Sequence, residues 1–189
     1  MALAVFLGDV NLTVENAGSL RKHISELDTH TDTCVIGWHA LITECHDRVV
    51  NVSGYDTSKE AVKNLEIVNV AITVDNVDTG ESHILIINQA VHAPTMDHNL
   101  LCPTQMKMHS AIINDTPKSF LNNPKDDDHC VLLQNEELEK SLRIPLTIKG
   151  VSPVFLSRKT TEIEFQMLEL FVAISNSPLW DPHNKMFCS

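Results

Sequence analysis

The sequence predicts an all-β fold assembled from short strands. Apolar residues make up 43% of the 189 residues and aromatic residues only 5%, so the core consists mainly of valine, isoleucine and leucine. Residues branched at Cβ favour strands because their side chains pack well on a pleated surface. Apolar and polar residues alternate at 48–52 and partly at 65–74, and Asp78-Thr79-Gly80 is typical of a hairpin turn. These observations indicate a fold that is dominated by sheets.

The individual elements follow from local patterns along the chain. β-prone or alternating segments predict strands at 23–27, 40–45, 48–52, 65–74, 83–91, 142–148 and 151–156. Thr161 and Glu164 form a capping-box pattern, which predicts one short helix over about 162–168. Residues 1–20 show no clear period and predict a loose segment, whereas prolines and three consecutive aspartates indicate an exposed acidic loop at 115–130.

Charge and cysteine content exclude several classes of function. The formal net charge is -11, which argues against nucleic-acid binding through a basic surface, since phosphate contacts need clustered Lys and Arg. No stretch approaches the roughly 18 consecutive apolar residues of a membrane span, and the short apolar N-terminus lacks the basic start of a secretory signal. The five cysteines are scattered without a C-x-x-C pair, which predicts reduced thiols and an intracellular, cytoplasmic location.

The stretch 26–37 is the most distinctive in the chain. An apolar residue leads into Asp28-Thr29, Asp32 follows, and the stretch ends in the apolar pair Val35-Ile36 and a glycine. This pattern resembles the active-site loop of retroviral and retrotransposon aspartic proteases, in which an apolar-Asp-Thr/Ser-Gly-Ala turn precedes a polar residue and an apolar strand. His30 stands where that family usually has glycine, and the form Asp-Thr-His-Thr-Asp-Thr is similar to the Asp-Ser-His-Ala-Asp-Thr of Copia-like retrotransposon Pol polyproteins.

Further elements follow in the order expected of that family. A strand ending in Pro94 precedes residues 99–106, Asn-Leu-Leu-Cys-Pro-Thr-Gln-Met, which resemble the Asn-Leu-Leu/Ile-Ser-x-x-Gln-Leu element of Copia-type proteases. The Arg-Ile-Pro-Leu sequence in 142–148 and the Trp-Asp-Pro-His tail at 180–183 are similar to the downstream region of the same polyproteins. The resemblance covers roughly residues 21–183, and the order of the elements is more specific than any one of them.

The fold that this resemblance implies is a retropepsin-like small β-barrel. The aspartic protease domain is expected over 21–115, after the loose N-terminal segment 1–20. Residues 116–189 are expected to form the acidic loop and a β-rich C-terminal extension containing one short helix.

The function that the resemblance implies is an aspartic endopeptidase of retroelement type, acting on a peptide or polyprotein substrate. Such enzymes use two carboxylates that share one proton, the ionised one as general base and the protonated one to polarise the scissile carbonyl. This chain has one motif of the right kind, so the second Asp28 must come from a partner across the two-fold axis of a homodimer. No cofactor, metal, nucleic acid or membrane is implied.

The resemblance also assigns roles to individual residues. In that family the threonine at the position of Thr29 joins the two loops by hydrogen bonds, and the aspartate at the position of Asp32 helps to hold the substrate backbone. Gly54–Glu60 lies where the family has its flap, a hairpin that closes over bound peptide. The candidate site residues are therefore Asp28 for catalysis, Thr29 and His30 for support of the loop, and Asp32, Gly54 and Tyr55 for contact with the substrate.

Two alternatives remain open. Glycine tolerates close approaches that a Cβ resists, so His30 either blocks the approach of the two loops or fits a slightly different loop. If it blocks the approach, the chain is a non-catalytic retropepsin-like domain, an inactive relic or a domesticated form, that dimerises or binds peptides. The other alternative is a metal-stabilised binding module, because one short stretch contains His30, Cys34, His39, Cys45 and His46. Their spacing matches no common zinc pattern, so structural histidines and small buried thiols are the favoured interpretation.

Overall fold

The computed structural model describes residues 21–54, 58, 60–76, 79–135 and 138–183. Its strands are, in chain order, β1 (Lys22–Leu27), β2 (Val35–Ile36), β3 (Leu41–Val52), β4 (Val62–Asp75), β5 (Ser82–His92), β6 (Asn99–Leu101), β7 (Ile112–Asn114), β8 (Cys130–Asn135), β9 (Lys140–Pro145), β10 (Thr147–Lys149), β11 (Ser152–Lys159) and β12 (Leu170–Ile174). The helices are α1 (Pro103–Met108) and α2 (Glu162–Met167), and a single 3-10 turn spans Lys118–Phe120. The described residues are thus mostly β-sheet with two short α-helices, which confirms the predicted all-β character.

Nine of the described strands form one sheet. Its order is β10-β11-β1-β6-β2-β5-β4-β3, and β12 is added beside β5. β11 also pairs with β4, with Arg158 opposite Thr73 and Lys159 opposite Ile72. The path from β11 through β1, β6, β2, β5 and β4 therefore returns to β11 and forms a closed ring. β3 remains at the outer edge, where most of its residues are exposed.

β4 and β5 form the centre of this sheet. Residues 67–74 of β4 are buried without interruption, which means that both faces of the strand are covered. The strands predicted at 65–74 and 83–91 correspond to β4 and β5. Asp78 of the predicted turn between them lies outside the described residues, whereas Gly80 has a φ of +73°, in the region that favours glycine.

The C-terminal part of the chain adds strands to the same sheet. β11 pairs with β1 in antiparallel fashion, and β12 pairs with β5 in parallel fashion. β7, β8 and β9 form a separate three-stranded sheet, whose buried side chains belong to the same hydrophobic core as β4 and β5. The strand predicted at 142–148 is divided between β9 of the small sheet and β10 of the large one. The predicted loose segment 1–20 lies outside the described residues.

Both α-helices are six residues long and begin at a defined cap. The predicted capping box of α2 is present in both directions between Thr161 and Glu164. α1 was not predicted, although Pro103 at its first turn is a typical helix-start signal. Within the part of the chain that the structure describes, neither helix has the length and apolar character needed to cross a bilayer.

Candidate functional site

Asp28 is the first residue after β1 and begins a loop, here the Asp28 loop (residues 28–34), that ends at β2. β6 lies between β1 and β2 in the sheet, parallel to β1 and antiparallel to β2. The backbone N–H of Asp28 donates to the carbonyl oxygen of Leu101, at the end of β6, over 3.0 Å. The start of the loop is therefore held by a strand inserted between the two strands that flank it.

Hydrogen bonds within the loop hold the carboxyl group of Asp28. Its Oδ1 accepts the backbone N–H of His30 at 2.8 Å. The backbone carbonyl oxygen of Asp28 accepts a hydrogen bond from the hydroxyl of Thr31 at 2.9 Å. The side chain of Asp28 is 24% exposed, whereas the imidazole of His30 is 91% exposed with Nδ1 3.5 Å from Asp28 Oδ1. The carboxylate is thus oriented by the loop and still reachable from outside.

The loop conformation does not require glycine at position 30. A positive φ at a residue other than glycine occurs, among the described residues, at Asn64, Gln89, Ser110, His129 and Glu139. His30 is not one of them, so its backbone conformation is one that any L-residue adopts. Any steric demand for glycine at this position must come from the close approach of a second molecule.

The other predicted site residues lie in two places. Thr29 and Asp32 are exposed on the Asp28 loop, and Gly54 is exposed after β3, where an added Cβ would meet no atom within 4 Å. Tyr55 lies outside the described residues. Four of the predicted site residues lie on the Asp28 loop: Asp28, Thr29, His30 and Asp32. Among the described residues, no hydrogen bond or ion pair joins Gly54 to that loop.

Asn99 and Gln105 hold the strand that leaves the loop. Both belong to the segment 99–106, here called the second motif. The side-chain carbonyl of Gln105 accepts the backbone N–H of Cys34 at 2.8 Å. Asn99 Oδ1 accepts the backbone N–H of Gly37 at 3.1 Å, and Asn99 Nδ2 donates to the hydroxyl of Ser25 in β1 at 3.0 Å. The sequence indicated these two residues only as parts of a motif, and the tertiary contacts explain why amides are needed there.

Two buried thiols lie beneath the loop. The Sγ of Cys34 accepts the backbone N–H of Cys102 at 3.1 Å. Burial raises the pKa of both thiols above the ordinary value for cysteine. Since the thiolate is the reactive form, these cysteines are packing and hydrogen-bonding groups and do not serve as nucleophiles.

A small apolar cluster lies beside the loop and includes side chains from the half of the β3–β4 hairpin that is nearer its turn. Its buried members are Val35, Ile67, Val91 and Ala93, and the half-buried side chains packed against them are Val50, Val52, Leu65, Met96 and Leu100. Val35 lies opposite Leu100 in the sheet. Leu100 directly precedes Leu101, whose carbonyl oxygen accepts the N–H of Asp28. Half-buried apolar side chains next to a few oriented polar groups are typical of ligand sites.

Gln89 and Trp180 belong to the site although the sequence analysis did not select them. The indole N–H of Trp180 donates to the carbonyl oxygen of Asp32 at 2.9 Å and to the hydroxyl of Thr33 at 3.0 Å. The side-chain carbonyl of Gln89 accepts the backbone N–H of Trp180 at 2.8 Å. The available signal was a glutamine inside the apolar segment 83–91, because a polar side chain buried in a strand needs hydrogen-bond partners.

The five candidate metal ligands are dispersed over the structure. His30 is exposed on the loop, Cys34 is buried beneath it, His39 is fully buried, and Cys45 and His46 lie on the edge strand β3. Within the described ranges, no three His, Cys, Asp or Glu side chains come together in a way that could hold a metal ion.

Comparison with protein-family models, with curated proteins and with solved structures gives no match to this chain. The interpretation of the site therefore depends on its own geometry and on the resemblance of its motifs.

Proposed function

We propose that this chain is an aspartic endopeptidase of retroelement type, which hydrolyses peptide bonds of a polyprotein as a homodimer. The observation that carries the proposal is the arrangement of the Asp28 loop between β1 and β2, with β6 inserted between these strands. The two sequence motifs that suggested a protease meet at this point, since Asp28 is hydrogen-bonded to Leu101 of the second motif. The two motifs of the family resemblance, far apart in the sequence, are thus in contact, which supports the proposal.

We also propose that the closed ring of strands is the small barrel of a retropepsin-like fold. The ring runs from β11 through β1, β6, β2, β5 and β4 back to β11. This connection supports the proposal because the Asp28 loop then projects from a continuous sheet that restrains both of its ends. A rigid support of this kind is what a catalytic carboxylate needs.

The chemistry follows from pairing two such loops. Two carboxylates a few ångströms apart cannot both ionise, so one Asp28 keeps a proton while its mate is charged. The charged carboxylate accepts a proton from the attacking water, and the protonated one donates a hydrogen bond to the scissile carbonyl. The partly exposed carboxyl of Asp28, oriented by the N–H of His30, suits this shared role.

The substrate in this proposal is an extended peptide bound between the Asp28 loop and the hairpin of β3 and β4. The half-buried apolar side chains Val50, Val52 and Leu100 supply contact surface for apolar residues of the peptide. Asp32, exposed on the same loop, supplies a polar contact to the peptide backbone.

A non-catalytic dimer is the second candidate function, and one observation favours it. The imidazole of His30 is 91% exposed and lies 3.5 Å from the carboxyl of Asp28. In a dimer formed through this loop, two such rings lie near the axis and hinder the approach of the two carboxylates. Such a protein retains the fold and the dimer but cleaves nothing.

The decisive experiment for the proposed function is the substitution Asp28→Asn. A neutral amide cannot act as general base, so we expect peptide cleavage to fall roughly a hundredfold or more, while the free energy of unfolding changes little because the amide oxygen still accepts the N–H of His30. Cleavage is measured by mass spectrometry on a denatured protein and on a randomised peptide mixture, with and without a pepstatin-type inhibitor.

The matched control is Asp126→Asn, which makes the same chemical change in the exposed acidic loop. Equal cleavage by the wild type and Asp28→Asn contradicts the assignment of Asp28. A wild-type dimer that cleaves neither substrate favours the non-catalytic alternative.

A further inference from the structure

The C-terminal segment 175–181 follows β12 and contacts the Asp28 loop through Trp180. Trp180 is only 8% exposed, and its indole N–H is shared between the carbonyl oxygen of Asp32 at 2.9 Å and the hydroxyl of Thr33 at 3.0 Å. These contacts hold the half of the loop that carries Asp32, whereas Asp28 is held from the other side by Leu101.

Gln89 fastens the segment to the centre of the sheet. Its side-chain carbonyl accepts the backbone N–H of Trp180 at 2.8 Å, and its amide nitrogen donates to the carbonyl oxygens of Ser175 at 2.8 Å and Pro178 at 3.1 Å. A further hydrogen bond of 2.7 Å joins the hydroxyl of Ser175 to the ring of His109 after α1. The segment is therefore attached to the body of the protein at the tryptophan itself and at two residues that precede it, Ser175 and Pro178.

Gln89 also connects this segment with the end of the loop at Cys34. The backbone carbonyl oxygen of Gln89 accepts a hydrogen bond from the side-chain amide of Gln105 at 3.4 Å. The side-chain carbonyl of Gln105 in turn accepts the backbone N–H of Cys34. Gln89 has a φ of +56° although it is not glycine. A backbone conformation of this kind costs free energy and persists only where several contacts impose it, as they do here.

We propose that Trp180 is a positioning residue of the Asp28 loop, and that the segment 175–181 is a strap that orients the half of the loop facing the substrate. The proposal rests on the proposed endopeptidase function, in which Asp32 contacts the peptide backbone. Loss of the indole N–H releases the carbonyl of Asp32 but leaves the hydrogen bonds of Asp28 in place. Substrate binding therefore depends on the strap more than the chemical step does.

The test uses the full chain with the substitution Trp180→Phe, which keeps an aromatic ring but removes the N–H donor together with part of the buried ring volume. We expect hydrogen exchange at the backbone amide of Cys34 to become roughly tenfold faster, because a lost buried hydrogen bond weakens local stability by about that factor. Exchange at the amide of Asp28 changes less. In peptide cleavage we expect KM to rise several-fold while kcat stays within about twofold.

Four further variants separate positioning from general packing. Trp38→Phe makes the same change at the other tryptophan, which is 45% exposed and distant in sequence from the strap, and leaves loop exchange and KM unchanged. Thr33→Val removes one of the two acceptors of the indole N–H, so it reproduces part of the change in exchange rate and KM. Thr33→Ser keeps this acceptor and behaves as the wild type. The double variant Trp180→Phe with Thr33→Val shows less than the sum of the single effects, since both remove one interaction.

The outcomes decide the strap and the proposed function separately. The strap proposal is overturned if Trp180→Phe keeps the hydrogen-exchange rates and the KM of the wild type. It is also overturned if Trp38→Phe changes them as much as Trp180→Phe does. If the wild type cleaves no peptide, the proposed function fails, but the exchange rates of Cys34 still decide whether the strap orders the loop. If Trp180→Phe does not fold, the comparison of Thr33→Val with Thr33→Ser decides it.

Discussion

His39 has no exposed surface, although both of its ring nitrogens are polar. The described residues offer no hydrogen-bond partner to either nitrogen. Its ring stacks on that of His23 with 3.9 Å between centroids and 9° between planes. The ring of Trp38 lies nearly perpendicular to both, with its centroid 5.1 Å from that of His23 and 5.7 Å from that of His39. His39 therefore behaves as a buried aromatic side chain that resists protonation.

The surroundings of His39 make its charged form unfavourable. Burial, and then the nearby His23, lower the pKa of His39 to about 4. Of the other titratable groups that face it, Asp97 raises the pKa, whereas His98 and Lys159 lower it further. Between the ordinary value of 6.5 and about 4, the unfolded chain therefore binds a proton that the folded chain does not.

We predict that acidification from pH 6.5 towards pH 4 destabilises the protein through His39. The free energy of unfolding falls by up to about 1.4 kcal/mol for each pH unit in this window. Urea denaturation at pH 7 and pH 5 measures the effect. His39→Phe keeps the ring stacking and removes the titration, so its stability depends less on pH. Equal pH dependence in the variant and the wild type contradicts the prediction.

At the scale of elements, α2 illustrates a helix held by its cap. None of its residues is buried, so packing contributes little to it. The hydroxyl of Thr161 accepts the N–H of Glu164 at 3.2 Å, and Glu164 Oε2 accepts the N–H of Thr161 at 2.9 Å. The other carboxylate oxygen of Glu164 accepts a hydrogen bond of 2.6 Å from Arg158, which also contacts Asp75 in β4. The cap therefore joins the helix to β11 and β4.

We predict that Thr161→Ala lowers the free energy of unfolding by about 1 kcal/mol, the usual cost of losing an N-cap hydroxyl. Thr161→Ser keeps the oxygen and remains close to the wild type. Denaturant unfolding of the two variants side by side gives the difference. If alanine and serine are equally stable, the capping box does not hold this helix.

For the molecule as a whole, the proposed chemistry requires a second copy. One chain supplies one Asp28 loop, and Thr29 and His30 at its tip are exposed and available to a partner. A two-fold axis through the loops supplies the second carboxylate without a second motif. The net charge of -11 opposes association, so the dimer is best sought at physiological salt, which screens repulsion between exposed charges.

We predict a homodimer at neutral pH that weakens on acidification. A two-fold axis through the loops brings two exposed His30 side chains together, and two imidazolium groups held close to each other repel. Sedimentation at several pH values and at 0.15 M salt measures the association. His30→Gly removes this pH dependence and permits a closer approach of the loops.

A protein that stays monomeric at high concentration and neutral pH contradicts the shared pair of aspartates, and the endopeptidase proposal with it. A dimer whose association is equally insensitive to pH in the wild type and in His30→Gly shows that His30 points away from the axis.

Local patterns in the sequence determined the all-β character, the strands on either side of the Asp28 loop, and the capped helix α2. Each of these depends on residues a few positions apart: alternation for β4, an aspartate after an apolar strand, and a Thr-x-x-Glu cap. The same patterns missed α1, because its start lies inside a segment that was interpreted only as a motif.

Only the tertiary structure decided how the site is assembled. The insertion of β6 between β1 and β2, the return of β11 to β1 and β4, and the contact of Trp180 with Asp32 all join segments far apart in the chain. The last of these spans 148 residues. Such pairings depend on which apolar faces pack together and on where buried amides such as Gln89 find partners, and no local period records either choice.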